Sequence, residues 1–205
     1  EMTSSLVGSE MCIRDRFRIR CRSALDGLET LLQSLLEISK METGLIQMNK
    51  KKLPLIDTVI SAVNRTYPKA DEKEIEFVFD YEKELETCTI MQDKRWLGEA
   101  VINVLDNAVK YSPCGSKIFI RLQKRNYLVR MEIEDQGIGI PQNEYHKIFQ
   151  RFYRGSSREV MEKSGTGIGL FLSREIIEKH AGTITVTSGK KKKGSTFVIQ
   201  LPYVS

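Results

Sequence analysis

One stretch, residues 95–112 (RWLGEAVINVLDNAVKYS), constrains the fold more than any other. Leu97, Ala100, Val101, Val104, Leu105 and Ala108 recur at steps of three and four, the period of an amphipathic helix laid on a core. A second line along the same helix is polar: Glu99, Asn103 and Asn107, then Lys110 and Tyr111. Carboxamides one turn apart, followed by a lysine, are unusual at the edge of an apolar stripe. The line is either a solvated face or one wall of a nucleotide site. In the second case an amide oxygen is a hard, neutral ligand of the kind Mg²⁺ accepts, and a lysine can reach phosphate.

The rest of the chain mixes helix and strand. Residues 18–44 read as a helix whose Leu25, Leu28, Leu32 and Leu35 form a bundle seam. Leu31, Leu36 and Ile38 widen that seam, so the helix needs a partner helix or a second chain. Gly44 is its expected stop. Pro54 opens a helix carrying Ile56, Val59, Ile60 and Val63, and Tyr67-Pro68 is expected to end it. Residues 75–82 (IEFVFDYE) alternate as a strand, and TCTIMQD is a weaker one. Residues 117–123 and 127–135 form an expected hairpin turning at 124–126. Residues 145–152 read as a short helix, and residues 155–164 as a polar loop of the length that often serves as a lid. A helix over 167–181 and a closing hairpin over 183–187 and 196–201 complete the chain. Without strict βαβ alternation, these elements predict an α+β sandwich, with helices on one face of a mixed sheet.

Composition adds bounds. The 205 residues carry net charge +5 and are 40% hydrophobic, enough for a real core in one or two domains. Apart from Lys190 to Lys193, which read as a solvated turn, the basic excess is spread thinly and does not single out nucleic acid as a partner. Cys12, Cys21, Cys88 and Cys114 have no metal spacing and no CxxC pairing, the pattern of reduced thiols. No apolar run is long enough to span a bilayer, and no signal peptide is evident. Residues 4–16 (SSLVGSEMCIRDR) have no usable period and look like translated sequencing-adapter sequence, which sets residues 1–16 apart as a non-native leader.

Two glycine-rich motifs lie downstream. EDQGIGIP (residues 134–141) ends a strand at Asp135 and places Gly137 and Gly139 in a turn where a ligand can approach the backbone. Asp135 could accept a hydrogen bond from a purine amino group. Adenine fits, whereas guanine would present an acceptor to the carboxylate. GTGIGL (residues 165–170) precedes a helix, whose first N–H groups and dipole favour an anion. No Lys-Ser/Thr follows, so it is not a Walker loop, and the polar segment before it does not fit a dinucleotide fingerprint.

Taken in order, these motifs resemble the boxes of sensor histidine kinases. Asn103 with DNAVKYS is similar to the N box, DQGIGI to the first glycine box, IFQRFYRG to the phenylalanine box, GTGIGL to the second glycine box and GSTF to the closing strand. The resemblance runs from about Leu25 to the C-terminus, with LLQSLLEISKMETG similar to the second helix of the family's dimerisation hairpin. It implies a Bergerat-type ATP-binding domain over residues 46–205, preceded by a remnant of the hairpin over 17–45. By that resemblance Asn107 ligates Mg²⁺ beside Asn103, and Lys110 and Tyr111 lie near the phosphates and ribose. Asp135 holds the adenine amino group in a pocket shaped by Gly137, Gly139 and Ile140. Gly165, Thr166, Gly167, Gly169 and Leu170 line the phosphate side, and Thr196 helps at the adenine end. Arg154, with Phe149 and Phe152, flanks a mobile lid.

The resemblance also implies the reaction. Related ATPases of the gyrase and MutL types carry a water-activating glutamate four residues before the metal-ligating asparagine. Here that position is Asn103, which takes no proton at neutral pH, so γ-phosphate is kept for a protein acceptor. Glu99, a turn earlier, is expected at the surface. In the family the acceptor is a histidine on the dimerisation helix, and the phosphoryl group then passes to the receiver domain of a response regulator. The only histidines here, His146 and His180, lack that context. This fragment is therefore expected to bind ATP and Mg²⁺ without phosphorylating itself. The implied setting is the cytoplasmic part of a bacterial kinase that dimerises through its bundle and meets the membrane only through segments absent here. The alternatives are an anti-sigma-type serine kinase or a non-catalytic ATP-binding module of the same fold.

Overall fold

Alternation and helical period both take shape in the computed structural model, which divides the chain into two units, residues 1–46 and 47–205. The structure describes residues 48–188 and 194–203, together with residues 25, 28, 29, 32, 35, 36 and 39 of the first unit. The leader over 1–16, Cys12, Cys21, Leu31, Ile38, Gly44 and the lysine run 190–193 lie outside the described residues. In the first unit Leu25, Leu28, Leu32, Leu35 and Leu36 are helical and exposed.

The second unit runs β1 (Lys51–Pro54), α1 (Leu55–Asp71), β2 (Glu76–Tyr81), β3 (Thr89–Gln92), α2 (Lys94–Tyr111), β4 (Lys117–Arg125), β5 (Leu128–Glu134), α3 (Arg158–Glu162), α4 (Gly169–Lys179), β6 (Thr183–Ser188) and β7 (Ser195–Pro202). Five strands form a mixed sheet in the order β2-β4-β5-β7-β6, with only the β2–β4 pair parallel. β1 and β3 form a separate antiparallel ribbon. Every second strand residue is apolar and buried: Ile118, Ile120 and Leu122 on β4, Val129, Met131 and Ile133 on β5, Phe197, Ile199 and Leu201 on β7. Burial of each such side chain contributes about 2 kcal/mol. Intervening positions of β4 and β5 carry charge, with Arg121 2.6 Å from Glu134 and Arg130 2.8 Å from Glu132, whereas on β7 the intervening Thr196 and Val198 are themselves buried. One face of the sheet therefore packs on helices, as alternation in a mostly antiparallel sheet requires. The expected α+β sandwich is the observed fold.

Helix α2 lies between α1 and α4. Its start is set by Asp93, whose carboxylate accepts the N–H groups of Arg95 (3.1 Å) and Trp96 (3.3 Å). At its end, the Lys73 ammonium donates to the carbonyls of Val109 (2.6 Å) and Ser112 (2.7 Å), satisfying acceptors the helix leaves open. Gln92, fully buried, accepts from Thr58 Oγ1 at 2.8 Å and donates to the carbonyls of Leu53 and Pro54, tying the ribbon to α1.

Several expected boundaries move. Helix α1 continues through Pro68 to Asp71, because Ala70 is fully buried and its carbonyl accepts from Ile75, which locks the last turn. The β4–β5 hairpin turns at Asn126 and Tyr127, with Asn126 at φ +52°. Residues 145–152 are not one helix. Two short 3₁₀ turns, Gln142–Glu144 and Lys147–Phe149, replace it, which allows the adjacent Ile148 and Phe149 both to be buried. The loop at 155–164 contains the single-turn helix α3, and α4 begins at Gly169 rather than 167.

Candidate functional site

A cavity of about 420 Å³ opens between α2, α4, the end of β5 and the loop that carries α3. From α2 come Asn103, Asn107, Lys110 and Tyr111. The strand end and the turn after it supply Asp135, Gly139 and Ile140, the loop supplies Arg154, and the entry to α4 supplies Gly165, Thr166, Gly167, Gly169 and Leu170. Residues separated by more than sixty positions in sequence thus share one space. Glu99 is not part of it. It pairs with Arg65 at 2.6 Å, on the α1 side of α2.

Asp135 is 5% exposed. Its Oδ1 accepts the N–H of Gly137 at 2.8 Å and that of Ser195 at 3.2 Å. Burial pushes its carboxyl up to about 6, against the pull of those two donors, with the Glu134 charge adding to the rise. Both donors occupy one oxygen, which leaves Oδ2 as the acceptor for a ligand. Gly194, at φ +75°, makes this placement possible, because a Cβ there would lie 2.0 Å from the Asp135 carbonyl oxygen. Gly137 does not line the cavity. It acts from behind, bonding Asp135 and packing where a Cβ would meet the Tyr111 carbonyl at 2.7 Å.

Thr196 also lies off the cavity. Phe197, Ile199 and Leu201 point into the helix layer, so strand parity turns Ser195 toward the ligand space and Thr196 away from it. The expected placement is corrected by one residue. The Thr196 hydroxyl is buried and has no hydrogen-bond partner among the described residues.

On α2, Asn107 Nδ2 donates to the Asn103 carbonyl at 2.9 Å, which presents the Asn107 Oδ1 as the available ligand atom. Asn103 packs close to the α4 entry: a Cβ on Gly169 would be 3.3 Å from its Oδ1. Lys110 Nζ lies 4.9 Å from the Tyr111 ring centre and donates to the Ser164 carbonyl. Burial and the neighbouring Arg154 lower the Lys110 pKa, and burial raises that of Tyr111.

The loop is folded onto this wall. Lys163 Nζ donates back to the Lys110 carbonyl, and Arg154 Nη2 donates to the carbonyls of Val160 (2.7 Å) and Lys163. Gly167, at φ +71°, allows the α4 entry to pass against Phe152, whose backbone carbon would be 2.7 Å from a Cβ there. Phe149 meets Phe197 edge to face at 6.4 Å, while Phe152 is exposed.

Neither histidine is placed as an exposed acceptor on a bundle helix. His146 sits between the two 3₁₀ turns. His180 is buried, with Nδ1 bonded to the Ile176 carbonyl and Nε2 accepting the Asp93 N–H. Sequence reasoning missed Ser195 and Glu144, both of which line the cavity. Strand parity would have found the first. Glu144 gives no periodic signal.

The family pattern for histidine kinase-, DNA gyrase B-, and HSP90-like ATPases matches residues 92–205, more than half of the chain. The sensor histidine kinase WalK of Bacillus subtilis is 29% identical over 193 residues, covering 93% of this chain and 31% of that protein. The chain thus spans about a third of the length of that curated relative. A solved structure of the mycobacterial sensor histidine kinase MprB superposes with a TM-score of 0.66 at 29% identity, over 75% of this chain and 97% of that one. Full-length ShkA, solved in complex with AMPPNP, matches with a TM-score of 0.76 at 21% identity, over 93% of this chain and 39% of that one. With this cavity on this sandwich, the chain belongs to the histidine kinase-, DNA gyrase B- and HSP90-like ATPases, and its fold is the Bergerat α+β fold of histidine kinase catalytic domains.

Proposed function

We propose that residues 46–205 bind ATP with Mg²⁺ and present its γ-phosphate to a histidine on a dimerisation helix outside this sequence. The phosphoryl group then passes to a response-regulator receiver domain. The observation that carries this reading is the pairing of Asp135, with one oxygen left open, and the Asn103–Asn107 line across a single cavity. Asp135 Oδ2 takes the adenine amino group. Asn107 Oδ1 is the neutral hard oxygen that would hold Mg²⁺ beside the phosphates. Mg²⁺ supplies charge neutralisation on the phosphates. Lys110 and Arg154, both on the cavity wall, add cationic partners for the same oxygens. Asn103, where a hydrolytic relative would have glutamate, gives no general base, so water is a poor competitor for the phosphoryl group. The exposed leucines of the first unit are read as half of a homodimeric bundle, and the setting as the cytoplasmic part of a signalling kinase. Among the described residues no helix is long and apolar enough to cross a membrane.

Calorimetry with ATP and Mg²⁺, followed by incubation with γ-labelled ATP with and without a separately purified acceptor hairpin, tests this. Heat on ATP addition and acid-labile label on the hairpin alone are expected. Absence of heat would remove the nucleotide reading. Acid-stable label on serine would favour a serine kinase, and acid-labile label on this chain alone would overturn the absence of an acceptor.

A further inference from the structure

Glu144 is a carboxylate only 5% exposed, at the end of a 3₁₀ turn and on the wall of the cavity. A buried carboxylate is costly unless donors surround it. Here the donors come from one short segment. Glu144 Oε1 accepts the Ser156 hydroxyl at 2.7 Å and the Ser156 N–H at 3.4 Å. Tyr153 lies within electrostatic reach of the same carboxylate, and burial together with that charge raises the tyrosine's pKa. Between them, Gly155 passes so close that a Cβ would lie 3.1 Å from Glu144 Oε2. Arg154 is thus bracketed by residues close to Glu144, and its guanidinium reaches the carbonyls of Val160 and Lys163.

We infer that Glu144 is a positioning residue for phosphate recognition, its buried carboxylate clamping the root of the loop at residues 153–164 so that Arg154 stays on the cavity wall. An uncompensated carboxylate beside a triphosphate would repel it. Quenched by the two Ser156 donors, the charge directs its attraction to the loop. The adenine end depends on β5 and β7 and not on this clamp, so loosening it should separate phosphate affinity from adenine affinity. The inference rests on the nucleotide reading of the cavity.

Its test uses the full chain with Glu144→Gln, Ser156→Ala and, as rescue, Ser156→Thr. Trypsin cleavage after Arg158 and Lys163 is measured without ligand, and ATP and adenosine affinities by calorimetry. Glu144→Gln and Ser156→Ala are expected to keep the wild-type circular dichroism and to be cut at least about threefold faster at these sites. They should bind ATP about five- to tenfold more weakly, the scale of a lost charge-assisted hydrogen bond, with adenosine changed less than about twofold. Ser156→Thr should restore both. Unchanged cleavage, or equal losses for ATP and adenosine, would overturn the clamp while leaving the nucleotide reading in place. Wild-type chain that bound neither compound would instead overturn the nucleotide reading.

Discussion

Asp135 carries two opposed demands. Held near pKa 6 by burial, it weakens the ligand-free fold at neutral pH, where the buried carboxylate is ionised. Its folded pKa lies above the unfolded 3.8, so its contribution to stability is fullest at low pH and is lost as pH rises through about 6. The ligand needs the opposite state, because only the carboxylate accepts an adenine amino hydrogen on Oδ2. ATP affinity is therefore expected to be constant above about pH 7 and to fall toward tenfold per unit below 6. Asp135→Asn separates the two demands. Its amide oxygen can still accept from Gly137 and Ser195, so the variant should be as stable as wild type at pH 7.5 or more stable. The upper limit is about 3 kcal/mol, the worth of the relieved shift. Its ATP affinity should drop at least about tenfold and lose its pH dependence. Thermal unfolding and calorimetry across pH 5–8 on both proteins check this. A variant that bound ATP like wild type would remove Asp135 from recognition.

At the scale of elements, α2 is held at both ends by groups from elsewhere in the chain: Lys73 at its C-terminus, and His180, past the end of α4, behind its N-cap. His180 donates from Nδ1 to the Ile176 carbonyl at 2.7 Å and accepts the Asp93 N–H at Nε2, 3.0 Å away. A second proton would convert that acceptor into a donor facing another donor. Burial lowers the pKa of His180, so its stabilising effect is complete above the unfolded value of 6.5 and is lost as pH falls below it. His180→Phe should cost about 1–3 kcal/mol at pH 7.5 by orphaning the Asp93 N–H. The difference from wild type should shrink toward pH 5, a comparison that cancels the opposite trend from Asp135. A difference constant with pH would show that His180 acts by shape alone. Such links explain what the sequence could and could not disclose. Period and alternation reveal which face of an element is buried, so α2, β4 and β5 were legible, and the glycine motifs disclosed most of the cavity. Pro68 misled because a local rule yielded to the burial of Ala70. Thr196 was off by one because the parity of Phe197 was not applied. Glu144, Lys73 and the His180–Asp93 bond join residues distant in sequence through single polar contacts, which leave no periodic trace.

For the molecule as a whole, the question is how much of the chain the site requires. Among the described residues the cavity wall is built from those at or beyond Asn103, and the sheet, three packed helices and ribbon lie within the second unit. The N-terminal limit of that unit is set by specific bonds. The Asn49 N–H donates to Asp93 Oδ2 at 2.9 Å, Lys50 Nζ reaches the Lys179 carbonyl at 2.5 Å, and β1 pairs with β3. A chain beginning at Gln47 keeps all of these, together with every described residue that lines the cavity, and should match the full chain in ATP affinity within about twofold. A chain beginning at Leu55 loses the ribbon and the carbonyls of Leu53 and Pro54 that satisfy buried Gln92, and should be destabilised by several kcal/mol. The leucines of the first unit, exposed by 41–67%, make a different prediction. A stripe of that kind seeks a partner, so the full chain should self-associate with rising concentration in sedimentation velocity. The chain from Gln47 should not, and Leu28→Glu with Leu35→Glu should abolish the effect in the full chain. Self-association that survived removal of residues 1–46 would place the contact on the catalytic unit and overturn the reading of those leucines as half of a bundle.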